Sequence, residues 1–307
     1  MSLPHGSLSV APFSDTLMTE AARSAGAQLE PLSERTRALV WLSPTGSAEL
    51  AAVLREYPAI AWVQLPWAGV DAFSDLIASH PRVLWTSAKG AYAQPVAEHA
   101  LMLILSLLRG IPERIADRRW TGRKAGRSLF GLTVCIVGAG GIARVLSDLL
   151  KPFGVQLRVV RRRPIPFTGA ELVTSDVREG ARGADVLILA AAHTPSSERL
   201  VDAELLTQLA PNAIVINVAR GALIDTEALV AALLAGRIGG AGLDVTDPEP
   251  LPDEHALWEC PNTIITPHSA DTPAMTEPLL AERVRHNVAA WLGAGDFIGV
   301  VDPHAGY

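Results

Sequence analysis

Gly131-Leu-Thr-Val-Cys-Ile-Val-Gly138-Ala-Gly140-Gly141-Ile142-Ala143 passes from an unbroken apolar run into a glycine-rich turn. Leu132 to Gly138 predicts a buried strand, and Ile142 to Leu150 predicts a helix ending at Lys151-Pro152. The turn matches G-x-G-x-x-A in the strand–turn–helix setting that gives the pattern physical meaning. The first glycine permits a tight turn, the second lets backbone approach a pyrophosphate, and the small third residue lets helix pack on strand. The helix N-terminus then offers free N–H groups and the positive end of its dipole to an anion. Gly138, Gly140, Gly141 and Ile142 are therefore candidate dinucleotide contacts. A methyltransferase could share this loop, so redox chemistry has to be argued from other residues.

The next strand, read as Leu157 to Val160, runs into Arg161-Arg162-Arg163. A site selective for NAD carries an acid near this point to hold the ribose 2′-hydroxyl. Here guanidiniums stand instead, suited to a 2′-phosphate. Arg161 and Arg162 are the candidate contacts, and NADP is expected in preference to NAD.

Further strands are expected at Asp185 to Ala190, Ala213 to Val218, Ala241 to Val245 and Thr263 to Thr266, with a helix from Asp225 to Gly236. Upstream, the runs near Leu8, Ala38 to Leu42, Ile60 to Leu65 and Arg82 to Ser87 alternate with helix-like segments from Asp15, Ser47 and Ala72. Strands alternating with helices imply right-handed crossovers and parallel sheets. At 307 residues the chain is long enough for two cores. We expect an α/β protein with two doubly wound parallel-sheet domains, one of Rossmann type and a smaller flavodoxin-like one. Residues 1–94 are read as a substrate domain and 95–270 as the dinucleotide-binding domain. Residues 271–307 are read as a C-terminal segment whose helix, Glu277 to Leu292, returns to the first.

A net charge of −6 argues against nucleic acid as the main partner. The apolar run Ala100 to Leu108 is too short to span a bilayer, so no membrane role is expected. The N-terminus has no signal-peptide pattern, and Cys135 and Cys260 form no disulfide or metal framework, so a cytoplasmic protein without a metal is expected.

Several strands of the second series run into polar residues: Arg220 directly after Ala219, Asp244 with Glu249 just beyond, and His268. Ligands of doubly wound sheets bind outside the carboxyl ends of the strands, so these residues are candidates to converge. Reducing a 2-keto acid needs a cation for the carboxylate and carbonyl, a proton donor for the forming alkoxide, and a hydride source. Arginine's planar fork suits the first task, and a histidine paired with a carboxylate suits the second. His5, His80, His255 and His304 are read as surface or structurally satisfied residues.

Together the segments Val96 to Leu101, Gly131 to Ala143, Asn217 to Asp225, Gly242 to Val245, Glu249 to Pro252 and Thr266-Pro267-His268 resemble the D-isomer-specific 2-hydroxyacid dehydrogenase family. The resemblance covers nearly the whole chain and is closest in character to glyoxylate/hydroxypyruvate reductases. It implies that Arg220 binds the substrate carboxylate and keto oxygen, His268 is the acid/base, Glu249 its partner, and Asp244 a ligand of the nicotinamide amide. It also implies cofactor contacts at Thr194 and Ala219, and substrate contacts from the N–H groups of Ala68 and Gly69 in the loop Pro66 to Asp71, where Trp67 could narrow the pocket. The helix near Glu98 resembles the family's interdomain and dimer helix, which implies a homodimer.

Two departures stand out: Ala191-Ala192-His193-Thr194-Pro195 replaces the more usual Leu-Pro-x-Thr-Pro, and Ser269-Ala270-Asp271 puts an acid beside His268. Little chain follows the last helix, which disfavours a regulated phosphoglycerate dehydrogenase, and glutamate at 249 disfavours formate oxidation. The alternatives are an NAD-preferring dehydrogenase for a bulkier acid, or a non-catalytic dinucleotide-sensing regulator.

Overall fold

A computed structural model describes residues 6–122 and 124–302; His5 and His304 lie outside these. The chain divides into two units, Met1–Tyr92 with Thr272–Tyr307 as far as described, and Ala93–Asp271.

In the first unit, β1 (Ser7–Ala11), β2 (Thr36–Trp41), β3 (Trp62–Gln64) and β4 (Leu84–Thr86) pair in parallel and in that order. Residues 28–30 add a further parallel bridge outside β1, where Leu8 N–H donates to Gln28 O and Glu30 N–H to Leu8 O. Counting that bridge, the order is the 2-1-3-4-5 of flavodoxin-like sheets. No apolar run marks residues 28–30, because a single bridge needs none.

The helix Pro273–Trp291 belongs to this unit. Its Leu280, Ala281, Val284, Val288 and Trp291 share a core with Leu8, Met18, Val40 and Trp62, and Trp291 stacks on Trp62 with ring centroids 5.7 Å apart. Buried Asn287 ties helix, sheet and following segment together. Its Nδ2 donates to Gln64 Oε1 (2.7 Å) and Ile298 O (2.9 Å), while Ile298 N–H donates back to Oδ1 (2.9 Å). The helix starts at Pro273, four residues before the expected Glu277. Proline suits the first helical position, where its missing N–H has no partner to lose.

The second unit holds β5 (Thr133–Val137), β6 (Gln156–Val160), β7 (Leu172–Thr174), β8 (Val186–Leu189), β9 (Ile214–Asn217), β10 (Gly240–Leu243) and β11 (Thr263–Ile265). They form one seven-stranded sheet in the order β11-β10-β9-β8-β5-β6-β7, parallel at every pairing. The winding reverses at β5, between β6 and β8, which is the Rossmann switch point. The central strands are buried along their whole length, with one apolar cluster on each face. That explains why they read as continuous apolar runs. The helix Ala93–Leu108 covers one face closely: a Cβ added at Gly242 would lie 3.1 Å from Leu103 Cβ. As expected, Asp225 caps the helix Thr226–Leu234 by accepting from Ala228 N–H (3.1 Å), and Gly236 leaves it with φ +64°. Among the described residues no single helix is long and apolar enough to cross a membrane.

Candidate active site

The glycine turn lies at the switch point. Gly138 has φ +116°, and a Cβ there would sit 2.3 Å from the carbonyl oxygen of Ala190, at the end of neighbouring β8. Only glycine lets the two strand ends come so close. Gly140 starts the helix Gly141–Leu150 without a side-chain cap, and a Cβ there would meet no atom within 4 Å. Ala143, in the first turn of this helix, is fully buried. Open space over Gly140 and uncapped N–H groups form a cradle that fits a pyrophosphate.

Beyond β6, Arg161 is half-buried, its main-chain N–H on Thr174 O (2.9 Å) and its Nη1 donating to Ile165 O (3.5 Å). Arg162 and Arg163 are exposed. After β8, Thr194 N–H donates to Ser197 Oγ (2.8 Å), and Ser197 and Glu198 N–H groups donate to Thr194 O (2.9 and 3.1 Å), folding the loop on itself. In the same loop, His193 Nε2 is buried and has no partner among the described residues. This orphaned atom lies on the departure from the family pattern, close in sequence to the strand end that Gly138 abuts.

Fully buried Asn217, the last residue of β9, shapes the turn to Arg220. Its Nδ2 donates to Arg220 O (2.8 Å), and its Oδ1 accepts from Ala219 N–H (3.1 Å). Gly221 follows because a Cβ there would fall 1.9 Å from Thr246 O. Arg220 is extended and half-buried, with Nη1 donating to Ala219 O (2.7 Å).

His268 Nδ1 lies 2.6 Å from Glu249 Oε1, and the two side chains are 51% and 41% exposed, so the pair is open to solvent and to reactants. With Nδ1–H donating to the carboxylate, the ring's Nε2 is left as the atom that can exchange a proton. The His268 backbone has φ +50°, a left-handed conformation that costs a residue with a Cβ. It is held there because His268 N–H reaches both Asp244 O (2.8 Å) and Thr266 O (2.9 Å).

Asp244 is only 2% exposed, and its carboxylate is turned into the loop that carries His268. Oδ1 accepts from Thr266 Oγ1 (2.5 Å) and Ser269 N–H (2.9 Å), and Oδ2 from Ala270 N–H (3.1 Å). His99 Nε2 lies 3.0 Å from Thr266 Oγ1 and 3.6 Å from Asp244 Oδ1. Asp271 is half-buried; burial pushes its carboxyl above the ordinary aspartate value, as does the negative charge of Asp244, while His268 opposes the shift.

The second unit therefore carries Arg220, Asp244, Glu249, His268, Ala219, Thr194, the glycine turn and the arginine fork within one sheet and its loops. Direct contacts join Glu249 to His268 and Asp244 to the His268 loop. Ala68, exposed, and Gly69, half-buried, stand in the first unit, where among the described residues neither N–H group donates to another protein group. In the same loop, Trp67 is exposed and packs edge-on against Tyr92, with ring centroids 6.0 Å apart. Asn217, Thr266 and His99 lie inside the matching motifs, and no role for them follows from residue type and position alone. Their only signal was to be polar residues at or beside apolar stretches.

Residues 101–270 match the model of the D-isomer specific 2-hydroxyacid dehydrogenase NAD binding domain. A human glyoxylate reductase/hydroxypyruvate reductase is 35% identical over 64% of this chain and 63% of its own length. The structure of a D-isomer specific 2-hydroxyacid dehydrogenase from Xanthobacter autotrophicus, in complex with NADPH and MES, aligns with a TM-score of 0.82. It covers 98% of this chain and 99% of that one at 27% identity. An NADPH-dependent glyoxylate/hydroxypyruvate reductase from Sinorhizobium meliloti aligns at 25% identity with a TM-score of 0.74, covering 98% of both chains. This chain belongs to the D-isomer-specific 2-hydroxyacid dehydrogenase family.

Proposed function

We propose that this protein is an oxidoreductase that passes a hydride between NADP(H) and a small 2-keto or 2-hydroxy acid of the glyoxylate or hydroxypyruvate kind. The observation that carries the reading is the 2.6 Å contact of His268 Nδ1 with Glu249 Oε1, displayed at the end of the sheet that bears the glycine turn. An arginine, a carboxylate-held histidine and a dinucleotide cradle are the three parts that keto-acid reduction requires.

Gly138, Gly140, Gly141 and Ile142 would receive the pyrophosphate, with Thr194 and Ala219 along the same sheet edge. Arg161 and Arg162 would take the 2′-phosphate; the half-buried Arg161 has its main chain fixed by β7 and, among the described residues, its guanidinium makes one long hydrogen bond. Asp244 Oδ2, which accepts one hydrogen bond among the described residues, is the oxygen proposed to accept from the nicotinamide amide. The bound cofactor supplies the hydride that adds to the carbonyl carbon. Arg220 holds the carboxylate and polarises the keto oxygen; the substrate contacts proposed for the first unit are the N–H groups of Ala68 and Gly69. Nε2 of His268 delivers the proton to the forming alkoxide while Glu249 Oε1 holds Nδ1–H and stabilises the imidazolium.

The active form is proposed to be a homodimer. Met102, Ile115, Trp120 and Phe130 are 40%, 69%, 100% and 64% exposed, large apolar side chains of the kind a partner covers. Buried, unpaired Cys135 and Cys260 accord with a reducing compartment, and the cytoplasm is the proposed site of action. The test is a panel of 2-keto acids, each offered with NADPH and with NADH and followed by product analysis. The reading expects glyoxylate and hydroxypyruvate with NADPH to lead. Faster turnover of large aromatic or branched keto acids would overturn the substrate class.

A further inference from the structure

We infer that His99 is a positioning residue for the proton donor, acting through Thr266 and Asp244 on the loop that presents His268. The inference deepens the proposed catalysis and rests on His268 being the acid/base.

A threonine hydroxyl has one proton to give. At 2.5 Å from Thr266 Oγ1, the Asp244 carboxylate takes it, because it can only accept. Oγ1 is then an acceptor toward His99, and the 3.0 Å contact fixes the proton of His99 on Nε2. The direction of the chain is set: His99 Nε2–H donates to Thr266 Oγ1, whose own proton goes to Asp244 Oδ1.

What the chain holds is the loop 266–270. Asp244 Oδ1 and Oδ2 fasten the N–H groups of Ser269 and Ala270, the two residues after His268, and Asp244 O accepts His268 N–H at 2.8 Å. His268 itself has φ +50°, so its side-chain direction depends on these bonds and not on a relaxed backbone. The far end of the chain is rigid: His99 sits on the helix Ala93–Leu108, between fully buried Ala97, Ala100 and Leu103. His99 and Asp244 are 14% and 3% exposed, so water is poorly placed to replace a lost partner. Without the His99 donor, Thr266 Oγ1 is free to turn, Asp244 loses its strongest partner, and His268 is presented to Glu249 less sharply.

The experiment compares His99→Leu, His99→Gln, Thr266→Val and Thr266→Ser. The glutamine amide can place an N–H where Nε2–H stood, and serine keeps the hydroxyl. Readouts are kcat and KM for glyoxylate with NADPH, dissociation of NADPH, thermal midpoint, and ring ¹⁵N shifts of His268, which report whether the neutral ring carries its proton on Nδ1. Loss of one such hydrogen bond should lower kcat roughly three- to tenfold in His99→Leu, with KM and NADPH affinity within about twofold. The Nδ1–H form of His268 should lose population in His99→Leu and Thr266→Val and recover in His99→Gln and Thr266→Ser. Adding His99→Leu to Thr266→Val should cost little more. Unchanged kcat and ¹⁵N shifts in His99→Leu, a glutamine variant no better than leucine, or losses explained by the thermal midpoint alone would overturn the inference. If His268→Ala kept full activity, the catalytic reading would fail, and the ¹⁵N shifts would still decide whether His99 positions the ring.

Discussion

At the scale of single residues the account turns on groups whose neighbours define their work. Arg220 is presented by a turn that Asn217 closes from both sides, so its guanidinium direction is built into the end of β9. If it binds the substrate carboxylate in the ground state and the developing alkoxide more strongly in the transition state, Arg220→Ala raises KM and lowers kcat together. A charge-assisted hydrogen bond lost there should reduce kcat/KM by roughly ten- to a hundredfold, with lysine recovering only part of it. Kinetics with intact NADPH affinity would check this, and a change confined to cofactor binding would contradict it.

Asp271 gives a pH signature. Burial raises its carboxyl from the ordinary value of 3.8, so the folded state disfavours the charged form. The cost is absent where the group is protonated in both states, grows as pH rises from the ordinary aspartate range, and is complete above the raised value. Asp271→Asn should match the parent in acid and exceed it in thermal midpoint toward neutral pH. A gap that did not vary with pH would show that burial of the charge is not the cause.

At the scale of elements, what burial dictates was legible and what single contacts dictate was not. β5, β8 and β9 could be read because strands buried on both faces run nearly unbroken in apolar residues, whereas β7 is three residues long and none of its neighbours marks it. The helix Ala203–Gln208 is six residues long, too short for a 3.6-residue period to show, though its cap Asp202 accepts from Leu205 N–H at 2.8 Å. In the site, Arg220, Glu249 and His268 could be named because their chemistry is expressed in residue type and strand-end position. The clamp of His99, Thr266 and Asp244 could not, since it depends on which side chains the folded sheet brings within 3 Å. The arginine fork tests an element-scale claim. Arg161→Asp with Arg162→Ala should weaken NADPH binding roughly ten- to a hundredfold or more while NADH changes little. Equal cofactor preference before and after would make the fork a solvated turn.

At the scale of the whole molecule, the family relationship goes with several large apolar side chains left exposed. Trp120, fully exposed, is the residue a monomer gains least by keeping. Sedimentation should find a dimer for the parent chain, and Trp120→Ser with Ile115→Ser should shift it toward monomer at micromolar concentration. A monomeric parent would contradict the proposed assembly.

The central claim is that His268 protonates a keto acid as it is reduced. The direct measurement is the glyoxylate-dependent oxidation of NADPH by the parent and by His268→Ala, with glycolate counted against cofactor consumed. The account predicts one glycolate per NADPH in the parent and a fall in kcat of about 10²–10⁴-fold in the variant, with NADPH binding retained. A His268→Ala enzyme that reduces glyoxylate as fast as the parent would contradict it.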